Sequence, residues 1–176
     1  MNMIETKSKV KLAPLADDDR EQFIIDNQYA FKYGATEEFG QRDDHFEEEG
    51  EIISRKTIEQ SIDEGVAYRI IQNDEIVGGL VLKINGNHGD LDLLFVSPNA
   101  HSKGIGYAAW CQVEELYPEV EVWETMTPCF ETRNIHFYVN RCGFHIVEYF
   151  NKYHRGAGAD AAFDEDDEMF RFEKRM

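Results

Sequence analysis

Gly104 and Gly106 stand one residue apart in the stretch FVSPNAHSKGIGYAAW, Phe95 to Trp110. An apolar, strand-like run ends at Val96, Pro98 and small polar residues follow, and a helix-like run begins at the glycines. Two glycines at a helix mouth let something approach the backbone, because no Cβ is in the way and positive φ is open to them. Amides at a helix N-terminus attract an anion, and the helix dipole adds to the attraction. The pattern suits a phosphate, with Lys103 able to add charge from the side. It also suits a tight strand-to-helix turn with no ligand. Gly104-x-Gly106-x-x-Ala109 matches the dinucleotide fingerprint in form, and Glu124 lies about twenty residues on. The context does not match. Ser97 to Lys103 separate strand from glycines, and an antiparallel hairpin precedes them instead of a chain-opening βαβ unit. A Walker-type loop fails too, since no Lys-Ser or Lys-Thr pair follows Gly106.

Carboxylates form the second chemical feature. On the run before the glycines, Asp90, Asp92 and Leu94 share one face of a strand, and Leu91, Leu93 and Phe95 share the other. Glu124 lies on a later strand. Asp43, Asp44 and Glu47, in the acidic stretch from Glu37 to Glu49, could hold an ammonium group or simply face solvent. His101, His136, His145 and His154 have no zinc-motif spacing, so no metal is expected. Cys111 and Cys142 fall on helices and should pack, and Cys129 reads as a loop thiol. No Ser-His-Asp arrangement is legible from sequence order.

The elements that must position these residues can be read in order. Lys9 to Leu12 alternates as a first strand before Pro14. Asp17-Asp18-Asp19 supplies an acidic helix start, and Phe23, Ile24, Asn27, Ala30 and Phe31 keep helical spacing until Gly34. A second helix spans Thr57 to Glu64, ended by Gly65. Val66 to Gln72 and Ile76 to Ile84 form a hairpin around Asn73-Asp74-Glu75, and HGDLDLLFV is a third consecutive strand. Ile105, Ala109, Val113 and Leu116 mark a helix that Pro118 stops. Val120 to Thr127 is a strand, Glu131 to Cys142 a helix capped by Gly143, and Phe144 to Phe150 a strand. RGAGADAAFDEDD reads as a mobile loop, and MFRFEK can close the sheet.

The chain's 176 residues suggest a single domain over 1–176 with a proper core. A net charge of −17, from 35 acidic and 18 basic side chains, argues against nucleic acid, whose phosphates call for clustered Lys and Arg. The same charge is compatible with a cationic small substrate, and with solubility alone. No apolar run approaches the ~20 residues that span a bilayer, so no membrane partner is expected. The N-terminal MNMIETKSKVKL has no signal-peptide core. Three cysteines without tight spacing build no disulfide frame. The expected location is the cytoplasm.

The glycine stretch resembles motif A of the GNAT superfamily of N-acetyltransferases: a strand ending hydrophobic-x-Val, a Pro, then Q/R-x-x-G-x-G/A at a helix start. Leu94-Phe95-Val96, Pro98, Gly104 and Gly106 match it. His101 stands where Arg or Gln is usual, and Ser102 where Gly is common. A second stretch, RNIHFYVNRCGF from Arg133 to Phe144, resembles the family's later F-Y-x-x-x-G-F at Phe137, Tyr138, Gly143 and Phe144. The order of elements fits as well, so the resemblance covers nearly the whole chain.

That resemblance implies an α/β (α+β) fold: a mixed, mostly antiparallel sheet of about seven strands flanked by helices, with splayed fourth and fifth strands. It implies acetyl-CoA as co-substrate and no metal. Leu94, Phe95 and Val96 would offer backbone groups to the pantetheine amides. His101, Ser102, Lys103, Gly104, Ile105 and Gly106 would cradle the pyrophosphate, and Asn134 would take over a cofactor contact usually made from the position of Glu131. Tyr138 would protonate the departing thiolate, and Asp90 or Asp92 would serve as base, directly or through water. The acidic stretch would form one wall of the acceptor site. The implied activity is direct transfer of acetyl to a primary amine of a cationic small molecule or a peptide, and a homodimer is compatible with it. A non-catalytic coenzyme A-binding module of the same fold is the rival reading.

Overall fold

The computed structural model describes residues 9–36, 46–100, 104–156 and 168–176. Along the chain run β1 (Lys11–Pro14), α1 (Arg20–Thr36), α2 (Arg55–Glu64), β2 (Val66–Gln72), β3 (Glu75–Asn85), β4 (His88–Val96), α3 (Ile105–Leu116), β5 (Val122–Pro128), α4 (Thr132–His136), β6 (His145–Phe150) and β7 (Met169–Arg175). The strands form one seven-stranded sheet in the order β1-β2-β3-β4-β5-β7-β6. It is mostly antiparallel, with β4 and β5 parallel. The expected fold class is the one observed.

The chain divides into two compact units, one of residues 1–83 and 92–116, the other of 84–91 and 117–176. In the first, Phe23, Ile24 and Ala30 of α1 pack with Ile53, Ile58 of α2, Val81 of β3, and Leu93 and Phe95 of β4. The Phe95 ring meets Phe23 edge-on at 5.1 Å between centroids. A Cβ on Gly78 would run into Phe95 O, and one on Gly79 into both rings, so these β3 positions admit only glycine without a shift. Arg69 of β2 is 3% exposed, grips Asp19 at 2.7 and 3.0 Å and Asp26 at 3.0 Å, and lies over the Phe23 ring. This clamp ties the start of α1 to the sheet.

In the second unit, Trp123, Phe144 and Phe172 are fully buried. Gly89 of β4 leaves room for the Trp123 ring, which a Cβ would strike. Packing of Tyr138 on Phe144 and Phe172 joins the segment after α4 to β7.

Four differences from the sequence reading have clear physical reasons. β1 begins two residues later and includes Pro14, which an edge strand tolerates because it owes no further ladder bond. The β2–β3 turn is the pair Asn73-Asp74, both at positive φ, as a two-residue hairpin requires. The helix read over Glu131 to Cys142 is a five-residue α-helix followed by a π-helical turn, Phe137–Arg141, in which Cys142 N bonds back to Phe137 O. β7 closes the sheet from inside, between β5 and β6, which leaves β6 as the edge.

Candidate functional site

β4 alternates strictly between buried and half-buried positions from His88 to Val96. Asp90, Asp92, Leu94 and Val96 therefore share the more open face, and Leu91, Leu93 and Phe95 the buried one, as the spacing requires. Since the Phe95 side chain belongs to the core, only its backbone is left for a ligand. β4 ends at a sharp turn: Ser97 N donates to Val77 O at 2.7 Å, and Ala100 N to Ser97 O at 2.9 Å. His101, Ser102 and Lys103 lie outside the described residues.

Gly104 opens α3. Its φ is +70°, and its carbonyl accepts from Ala108 N at 3.0 Å. A Cβ built on Gly104 meets nothing within 4 Å among the described residues. The backbone angle thus favours glycine, and among the described residues no atom crowds the space beside it. Ile105 and Gly106 take the first two helical positions, whose amides have no acceptor inside a helix. Ile105, Ala109, Trp110 and Val113 bury one face of α3 and fix its direction. A twelve-residue helix held this way presents a positive N-terminus to an anion.

The carboxylates are already engaged. Asp92, 29% exposed, accepts from the Ser61 hydroxyl and lies 3.6 Å from Lys83 Nζ, which also bonds Glu64 at 3.0 Å. Glu124 of β5 takes His88 Nε2 at 2.9 Å and the Arg171 guanidinium. Arg171 also bonds Glu148 at 2.9 Å, so Glu124 is part of a cross-strand charge run. Asp90 stands opposite Glu124 in the parallel register. Glu47 accepts from Ser54 N at 2.8 Å and Thr57 Oγ1 at 2.7 Å, so it braces the start of α2. Asp43 and Asp44 lie outside the described residues.

In the second unit the parallel register covers His88–Asp90 against Val122–Glu124. The next β4 carbonyl, Leu91 O, receives the Thr125 hydroxyl at 2.9 Å. Tyr138 is buried among Phe137, Phe144 and Phe172. Burial pushes its phenol up to about 12, against a smaller pull downward from the Thr125 side chain. Tyr138 therefore keeps its proton at neutral pH. Asn134, exposed on α4, donates to Thr127 Oγ1 at 3.2 Å. Burial and nearby Glu168 raise the Cys129 thiol, which argues against a reactive thiolate. Among the described residues, no group of three or more His, Cys, Asp or Glu could hold a metal ion, and no helix is long and apolar enough to cross a membrane.

Ser61, Lys83, Thr125 and Arg171 did not emerge from the sequence. Trp123, Thr125 and Thr127 do share a strand face, but hydroxyls on a buried face show their partners only once strand register is known.

Comparison with known proteins places these features in context. The model of the acetyltransferase (GNAT) family matches residues 25–144. An uncharacterised protein of Bacillus subtilis (strain 168), YrkN, is 42% identical over 183 residues, covering 98% of this chain and 96% of its own. A GNAT family acetyltransferase from Elizabethkingia anophelis, solved with acetyl-CoA bound, superposes with a TM-score of 0.65 at 14% identity, over 96% of this chain and 99% of that one. Naa50 of Arabidopsis thaliana, solved with the bisubstrate analogue CoA-Ac-MVNAL, gives 0.62 at 15% identity over the same shares.

Proposed function

The chain belongs to the GNAT family of acetyltransferases, and from that premise we propose that it moves an acetyl group from acetyl-CoA to a primary amine by direct attack. The observation that carries the cofactor is Gly104: a helix opening at positive φ in the segment that follows β4, with no atom of the described residues where a side chain would stand. The pyrophosphate would lie against Gly104, Ile105 and Gly106, with His101, Ser102 and Lys103 from the preceding turn. Leu94, Phe95 and Val96 would offer backbone groups to the pantetheine arm, and Asn134 an amide. Bound acetyl-CoA or a coenzyme A analogue in the structures of relatives supports this assignment.

Tyr138 would supply the proton to the departing thiolate, and Asp92 or Asp90 would receive the amine's proton. The acceptor would be cationic, drawn by the net charge of −17; a small amine and a peptide N-terminus both fit. The match of the family model runs through both compact units, which supports residues 1–176 acting as one acetyltransferase domain. The proposed location is the cytoplasm, which the three free thiols support.

Two measurements test the reading. Acetyl-CoA should raise the melting temperature by mass action, and NAD should not. A panel of polyamines, amino acids and short peptides should then accelerate thiol release from acetyl-CoA. Stabilisation by NAD alone would defeat the cofactor assignment; binding of acetyl-CoA with no amine-dependent thiol release would leave a coenzyme A-binding module.

A further inference from the structure

The seven-stranded sheet ends in two unlike strands, β1 and β6. An edge strand shows a row of unpaired amides and carbonyls, which is a template for another strand, and proteins ordinarily blunt it with shortness, Lys, Pro or charge. β1 is blunted in this way: it has four residues, with Lys11 and Pro14 exposed at its ends. β6 runs six residues, His145–Phe150, without Lys or Pro. Its pairing with β7 passes from Ile146↔Phe172 to Glu148↔Arg171, so Val147 is a bulged extra residue. Ile146 and Val147 are each 45% exposed and Tyr149 is 42% exposed. Tyr153 stands almost free on the turn between Asn151 and His154.

Charge sets this strip apart from the rest of the chain. The net charge of −17 makes two copies repel each other. From His145 to Arg155 there is one carboxylate, Glu148, against Lys152 and Arg155. Glu148 is already engaged, accepting from Arg171 Nε at 2.9 Å and lying 2.7 Å from His154 Nε2. Two such acidic chains can meet where neither presents an unpaired negative charge. We propose that β6 pairs antiparallel with β6 of a second copy, about a two-fold axis. Such a contact is self-complementary: each edge supplies the donors and acceptors that the other lacks, while Ile146, Val147 and Tyr149 leave water. The far edge of each copy is the blunted β1, so assembly closes at two. The exposed parts of these side chains, Tyr153 and the free strand edge come to roughly 600 Å² per copy, about 1,200 Å² for the pair, which is the lower end of a specific interface. The pairing is independent of acetyl transfer, and its test involves no cofactor.

Sedimentation velocity from about 1 to 100 μM should show the protein passing from monomer to dimer. Hydrogen exchange at the two ends of that range should slow in the amides of β6 and stay the same in those of β1. Raising salt from about 0.05 to 0.5 M should tighten the dimer, because screening weakens the repulsion between two acidic chains. Val147→Lys should weaken it at least about tenfold, since the pair would bury two ammonium groups without partners. Val147 is the bulged residue, so the β6–β7 pairing does not depend on its side chain. Should Val147→Lys not fold, Ile146→Lys makes the same measurement. Ile25→Lys, at a similarly exposed apolar position on α1, should leave the dimer unchanged. A monomer at every concentration would overturn the inference and leave the edge to a strand of some other protein. A dimer that survives both β6 substitutions, leaves β6 exchange unchanged or dissolves in salt would overturn it as well, because its contact would then lie on another surface.

Discussion

The Ser61 hydroxyl of α2 donates to Asp92 Oδ2 of β4. With Lys83 Nζ 3.6 Å from the same oxygen, Asp92 is held between a helix and a neighbouring strand before any substrate arrives. Such a carboxylate is pre-positioned, and Asp92→Asn separates its charge from its shape. The amide can still accept from Ser61, and a half-exposed ion pair is worth at most about 1 kcal/mol, so the melting temperature should move little. If Asp92 takes the amine's proton, turnover should fall at least about tenfold near neutral pH. The deficit should shrink as pH nears the amine's own value, about 10 for a lysine-like ammonium, where no base is needed. A rate ratio that stays flat with pH assigns Asp92 to the frame and passes the base role to Asp90, for which Asp90→Asn is the matching measurement.

At Gly104 the backbone angle and the space around it make different demands, and two substitutions tell them apart. Asn tolerates φ near the observed +70°, whereas Ala is strained there by roughly 1–2 kcal/mol. Among the described residues, no atom lies within 4 Å of the added Cβ in either variant. Gly104→Asn should therefore keep nearly the wild-type melting temperature, and Gly104→Ala should lose several degrees. Acetyl-CoA affinity should drop at least about tenfold in Gly104→Asn, by calorimetric titration, because a ligand at the helix mouth would meet the new side chain. Unchanged affinity in a folded Gly104→Asn protein would remove the pyrophosphate from this turn.

How far these features could be read from the sequence depends on how local their causes are. β4 was legible residue by residue, because a strand with one buried face must alternate, and His88 to Val96 does so without a break. Gly104 was legible as a turn residue for the same local reason. The break in the helix after His136 was not, since its 3.6-residue pattern is unremarkable and the π turn serves the packing of Tyr138 and Cys142 in the interior. The place of β7 between β5 and β6 is a question of pairing partners, which period-two alternation cannot answer. Thr125 and Ser61 escaped notice because their partners, Leu91 O and Asp92, lie 34 and 31 residues away in sequence. Asp19 read as a helix-start acid, yet its larger task is to hold Arg69.

That clamp supplies a stability prediction remote from the chemistry. Arg69 is almost fully buried, and both its aspartates remain partly exposed and can rehydrate. Arg69→Met keeps the stem over the Phe23 ring and removes the charge. Breaking a buried pair costs about 3–5 kcal/mol, and rehydration of Asp19 and Asp26 should bring the loss to the lower end. Urea unfolding should show the midpoint falling with the slope unchanged. Turnover of the folded fraction should stay near wild type. A midpoint shift under about 0.5 kcal/mol equivalent would mean that the packing of Phe23, and not the charge, carries this corner.

Tyr138 gives a prediction in pH as well as in rate. In an unfolded chain a tyrosine ionises near 10, and burial holds Tyr138 at about 12 in the folded one. The folded state therefore binds this proton more tightly. The contribution to stability is whole below about pH 10 and is lost as pH rises through about 12, in total some 2–3 kcal/mol. Tyr138→Phe lacks the ionising group. It should start slightly less stable at neutral pH, by about 1 kcal/mol for the lost hydroxyl, and should then decline less steeply in alkali. Thermal melts at stepped pH would show the two curves converging above pH 10. The kinetic expectation is tied to the same proton. Because the phenol stays protonated until far above neutrality, it should contribute no high-pH limb to the rate profile below about pH 10. Tyr138→Phe should lower turnover at least about tenfold, with acetyl-CoA affinity nearly constant, since the ring and its packing on Phe144 and Phe172 are retained. If turnover is unchanged where chemistry limits the rate, while the alkaline melts still converge, the phenol is an interior group of the second unit and the thiolate takes its proton from water.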